Sequence, residues 1–204
     1  CNVSEIFIVL IAMLVGWGAP FTAVQLLFVN VVADGLPGFA LGREPAEKGI
    51  MDEAPIPKNE GIFARGLLQK IAINATIFTI VTLFGYYLGS YVDTISPWVD
   101  AGQEVGQTVA FLVLAYSSIL HVFNVRSSQS IFKVNLATNK SLLEMAVLSL
   151  VITTVIALLP FTQELFGLVH VSLNHWLLVG FLSVVPVAVN ELIKFHQLPE
   201  AEEE

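Results

Sequence analysis

Apolar runs of about twenty residues, separated by polar stretches, leave a chain very few ways to fold. Residues 24–42, 67–92, 105–125, 142–159 and 173–195 form five such runs, and a shorter one, 3–17, precedes them. In hydrocarbon a segment must satisfy its own backbone groups, so these runs are expected to be helices. The predicted fold class is all-α, a polytopic transmembrane helix bundle. Its spans are placed at approximately 2–18, 21–42, 67–92, 105–125, 142–159 and 173–195, with polar loops at 43–66 and 126–141. Composition points the same way: 55% of residues are hydrophobic, 13% are charged, and mean hydropathy is +0.77. A soluble domain carries about twice that charged fraction. The net charge of −8 owes much to Glu200, Glu202, Glu203 and Glu204 at the end. Basic residues are few and mixed with acids, so nucleic acid is not a partner that this sequence suggests. The single cysteine, Cys1, excludes a disulfide within the chain and a cysteine-based metal site.

The basic residues set the orientation. Arg43, Lys48, Lys58, Arg65 and Lys70 flank the first large loop, Arg126, Lys133 and Lys140 belong to the second, and Lys194 follows the last span. All 9 fall on one side, which the positive-inside rule makes cytoplasmic, together with the C-terminus. The chain opens inside an apolar run without an initiator Met, and is read as the C-terminal piece of a longer protein.

The run 24–42 carries Asn30 and Asp34 in its middle and meets Gly35 and Pro37, where a break is expected. An ionisable residue inside a membrane helix is costly and by default marks an ion or substrate path. Asn30 and Asp34 are four apart and share a helix face. In an α-helical register Pro37 deprives the Ala33 carbonyl of its donor. With the hairpin turn near Gly18 and a rise of about 1.5 Å per residue, Glu5 lies roughly 20 Å along the first arm. On the same scale Asn30 lies roughly 17 Å and Asp34 roughly 23 Å along the second. Asn2 is three residues from Glu5, on the same face. Two carboxylates and two amides thus reach one depth, and the two like charges need a cation or protons between them. Oxygen donors alone suit Ca²⁺, Mg²⁺, Mn²⁺ or Na⁺.

NVSE in the first run and PFTAVQLLFVNVVADGLPGFALG in the second resemble the fifth and sixth membrane helices of P-type calcium-transporting ATPases of the sarco/endoplasmic-reticulum type. GIMDEAP resembles that family's next cytoplasmic loop, and NELIKF its last helix. The resemblance covers essentially the whole chain. It implies the second half of helix 5 and helices 6 to 10 of a ten-helix pump, in a bacterial plasma membrane. Its partners would be the lipid bilayer and the upstream part of the same pump, helices 1 to 5 and cytoplasmic domains. Ca²⁺ would be the transported ion. ATP and Mg²⁺ would enter only through the upstream domains, where a DKTGT motif is phosphorylated, so this piece alone would be inactive. Carried over by position, Asn2, Glu5, Asn30 and Asp34 match the family's calcium ligands. Two positions depart: Ala33 stands where a threonine ligand is expected, and Ser118 where a glutamate ligand is expected. Both departures belong to one of two family sites. The implied stoichiometry is therefore one Ca²⁺ per cycle, bound at Asn30 and Asp34, with Glu5 and Asn2 left to carry returning protons.

Other features have plainer readings. Gly85 and Gly89 have the spacing for close helix packing. His121 and Asn124 suggest an interhelical hydrogen bond, and His170, His175 and His196 are placed at interfaces. Glu144 and Glu191 can reach water or Lys140 and Lys194. Trp17, Trp98, Trp176 and Tyr91 suit an aromatic belt. Pro55 and Pro57 stiffen the first loop, which by resemblance touches the phosphorylation domain. A P-type pump for Na⁺ or Mn²⁺, a secondary transporter and a membrane scaffold remain alternatives. A secondary transporter would call for an internal repeat, which the sequence does not display.

Overall fold

The computed structural model describes residues 2–45, 61, 66–92, 101–127, 130–132, 134 and 136–197. Most of the loop 43–66 with Pro55 and Pro57, Trp98, Cys1 and the acidic tail lie outside the described residues. Every regular element among the described residues is helical. In chain order they are α1 (Asn2–Leu14), α2 (Ala23–Phe28), a π-helical stretch (Val29–Gly35), α3 (Leu36–Leu41), α4 (Leu67–Tyr91) and α5 (Gln103–Val125). A 3₁₀ turn (Leu136–Asn139), α6 (Lys140–Leu158), α7 (Pro160–Phe166) and α8 (Leu173–Gln197) follow. α2, the π stretch and α3 run on as one span, Ala23–Leu41, and this span, α4, α5, α6 and α8 are long and apolar enough to cross a membrane.

α5 is the hub. Val109, Ala110, Phe111, Leu112, Val113, Leu114 and Ala115 are all 0% exposed, so these two turns of the helix are apolar all round and covered on every side. α4 and α8 pack along it, and the π stretch and α6 reach it from the other flank. The contact with α4 depends on missing side chains. A methyl group on Gly89 would stand 2.9 Å from the Gly106 Cα, whereas one on Gly85 would meet only side-chain ends at 3.3 Å.

The turn between α1 and α2 is held from both ends. Gly16 and Gly18 sit at φ of 81° and 83°, a region glycine enters without strain. The Tyr86 hydroxyl donates to the Trp17 carbonyl at 2.7 Å, and the Trp17 ring packs at 5.6 Å on Tyr87. Thr22 and Gln25 then form a capping box: the Gln25 N–H donates to Thr22 Oγ1 at 3.3 Å and the Thr22 N–H to Gln25 Oε1 at 3.0 Å. The Gln25 amide also donates to the Phe166 carbonyl at 3.1 Å, tying the start of α2 to α7.

Two elements differ from the sequence reading. A seven-residue helix occupies Pro160–Phe166, where only a loop is expected. Pro160 presets its first turn, and Thr162 and Gln163 donate to the Ile156 and Ala157 carbonyls left open at the end of α6. The span through Gly35 and Pro37 does not break. It widens over Val29–Gly35 and returns to an α-helix with Pro37 in its first turn.

Candidate functional site

The widened turn and α1 face each other across the hairpin, and their polar residues meet there. The Asn30 amide donates to Glu5 Oε2 at 2.9 Å and to the Leu26 carbonyl one turn back at 2.9 Å. Glu5 is 7% exposed. Its second oxygen, Oε1, and the Asn30 Oδ1 are both buried without a hydrogen-bond partner. Two oxygens from opposite arms are therefore left uncommitted, and such groups are costly unless something else binds them.

Asp34 stands one turn beyond Asn30, half-buried and within electrostatic reach of Glu5. Its neighbour on α5 is Ser118, whose hydroxyl lies beside the carboxylate without a well-aligned hydrogen bond. Asn2 is set apart from the Glu5–Asn30 pair. It is exposed at the start of α1, and shares with Asp34 and Ser118 the wall of a cavity of about 1110 Å³. The cavity extends past His121 to Lys70 and Lys194, at the basic end of the bundle.

The π register explains how one segment aims both residues. In such a turn the carbonyl of residue i accepts from residue i+5 rather than i+4. The carbonyl that loses its donor to Pro37 is then that of Val32, not Ala33. A donor from α6 meets it: Ser149 Oγ lies 2.9 Å from the Val32 oxygen. Nothing in the sequence pattern signals this contact, because Ser149 is 117 residues away and reads as one hydroxyl on an apolar helix.

The remaining polar residues have structural partners. Asn124 donates to Glu191 Oε1 at 2.8 Å, while His121 packs edge-on against Phe78 at 5.2 Å with its Nδ1 unpartnered. Glu191 also accepts from Ser130 and the Ile131 N–H, and lies 3.5 Å from Lys194. Glu144 is exposed on α6. At the end of α3, Glu44 pairs with the buried Arg126 at 2.6 Å and accepts from Asn139 at 2.8 Å. Among the described residues no three His, Cys, Asp or Glu side chains converge. The oxygens gathered here belong to two carboxylates, Glu5 and Asp34, with the Asn30 amide and the Ser118 hydroxyl beside them. That donor set belongs to hard cations that accept many oxygens.

Comparison with known proteins adds independent information. Residues 18–196 match the family described as "Cation transporting ATPase, C-terminus". The "Calcium-transporting ATPase 1" of Lactococcus lactis is 37% identical over 195 residues, which is 95% of this chain and 21% of the relative. The "Calcium-transporting ATPase 1" of Bacillus cereus is 31% identical, covering 95% of this chain and 23% of the relative. The "Calcium-transporting ATPase" of Bacillus subtilis is 31% identical, covering 91% and 20%. The chain therefore spans about a fifth of the length of the relatives it matches.

Proposed function

The chain belongs to the cation-transporting ATPase C-terminus family, and from that premise we propose that it forms the membrane ion-binding portion of an ATP-driven calcium pump. It is an integral, multi-pass membrane protein with five helices suited to span a bilayer. What carries the reading to an ion site is the meeting of Glu5 and Asn30 across the hairpin, with Asp34 one turn on. The relatives are calcium-transporting ATPases by name, which supports calcium as the ion.

Asn30 and Asp34 serve as ligands of one Ca²⁺ per cycle. Ser118 offers a hydroxyl where a carboxylate would help to hold a second ion, and Ala33 offers no oxygen on its side chain. Glu5 remains to take up a proton moving the other way, which offsets the cost of a buried carboxylate once the cation has left, and Asn2 stands on the wall of the cavity leading to the site. Nucleotide binding and phosphorylation fall to parts of the pump outside this chain, which by itself is inactive. Its basic loops face the cytoplasm of a bacterial cell.

The test is ATP-driven uptake of radioactive calcium into vesicles carrying the full-length protein. Asp34→Asn keeps the shape of the side chain and removes its charge, so uptake is expected to fall to background. Uptake by Asp34→Asn at the parent rate would overturn the proposal.

A further inference from the structure

We propose that Ser149 is a positioning residue of the cation site, acting through the backbone of the widened turn; the inference rests on the reading of Asn30 and Asp34 as calcium ligands. Ser149 is 0% exposed, and its hydroxyl donates to the Val32 carbonyl at 2.9 Å. Val32 is midway between Asn30 and Asp34. Its donor in the π register would be Pro37, which has no N–H. A buried carbonyl without a partner is costly. Without the hydroxyl, the π register loses its advantage over the α register, in which Val32 gains a backbone donor and Ala33 loses one.

Such a change cannot stay local. Going from the π to the α register rotates the residues after Val32 relative to those before it. Asn30 would keep its place against Glu5 while Asp34 swung away from its present position beside Ser118. Ser149 therefore fixes the angle between the two ligands without touching the ion. α6 is itself braced for this task. Tyr116 of α5 is bonded to its Thr154 at 2.7 Å, one turn and a residue beyond Ser149.

The experiment measures equilibrium binding of radioactive Ca²⁺ to the purified full-length protein, alongside its thermal midpoint. Ser149→Ala is expected to weaken binding about tenfold, the lower end of what outer-shell partners contribute to metal sites. The number of sites and the midpoint should stay near the parent's. Ser149→Thr restores a hydroxyl and should bring affinity back to within about twofold, a rescue that packing alone would not produce. Ser149→Cys keeps the shape with a weak donor. Should Ser149→Ala not fold, equal weakening in Ser149→Cys supports the role and parent affinity there overturns it. Parent affinity in Ser149→Ala, or equal loss in the Ala and Thr variants, also overturns it. Asp34→Asn separates the two claims. If it abolishes binding while Ser149→Ala binds like the parent, only the positioning role fails. If it leaves binding intact, the reading of the site fails first.

Discussion

Replacing Gly89 by alanine should destabilise the bundle, whereas the same change at Gly85 should not. Both glycines lie on the face of α4 that meets α5. At Gly89 an added methyl would stand 2.9 Å from the Gly106 Cα, 3.1 Å from its nitrogen and 3.2 Å from the Val105 oxygen. Carbon atoms in contact prefer about 3.5 to 4.0 Å. All three opposing atoms are backbone, so the helices must separate to make room. Overpacking of this kind costs about 1 to 3 kcal/mol, and a rigid partner argues for the upper part. Alanine returns about 1 kcal/mol in helix propensity, leaving a net loss of about 1 to 2 kcal/mol. At Gly85 the methyl meets Leu182 Cδ1 and Val113 Cγ2 at 3.3 Å, the movable ends of side chains. There the propensity gain offsets the crowding, and the net change is about zero on the same scales. The thermal midpoint of the purified protein in detergent reads the difference. At about 2 to 4 °C per kcal/mol for a unit of this size, Gly89→Ala should melt several degrees below Gly85→Ala. A Gly89→Ala protein as stable as Gly85→Ala would refute the claim that a backbone contact fixes this crossing.

Two further perturbations probe the basic end of the bundle. The Arg126 side chain is 1% exposed and Glu44 20%, so Glu44→Ala leaves a buried guanidinium without its carboxylate. Allowing for the exposure of Glu44, the loss should be about 2 to 3 kcal/mol. The Glu44→Ala/Arg126→Met double variant should recover part of it, and additive losses in a double-mutant cycle would contradict the pairing. Glu191 gathers Asn124, Ser130 and the Ile131 N–H. Glu191→Ala should therefore speed amide hydrogen exchange at Ile131 about tenfold or more, as loss of a charged acceptor is worth about 1.5 to 3 kcal/mol. Unchanged exchange there would argue against the clamp.

The fold class was legible because the apolar runs are long and charge is confined between them, which leaves helices as the only open solution. The meeting of Glu5 and Asn30 was legible from rise arithmetic, since equal distances from a shared turn put both at one depth. Three things were not. The register between Asn30 and Asp34 was hidden because counting by four assumes an α-helix, while the chain answers Pro37 by widening upstream of it. The second support of that turn was hidden because Ser149 belongs to an element far along the sequence. α7 was hidden because a helix of 7 residues is too short to show a periodic pattern. The central position of α5 has only a faint mark in the sequence: its unbroken run of apolar residues at 109–115 leaves no polar face.

One quantity bears most directly on the hairpin as a cation site: the number of Ca²⁺ ions bound at saturation per full-length molecule, measured with radioactive calcium for the parent and for Asp34→Asn. One ion is expected for the parent and none for the variant. Two ions bound by the parent, or one retained by the variant, would contradict it.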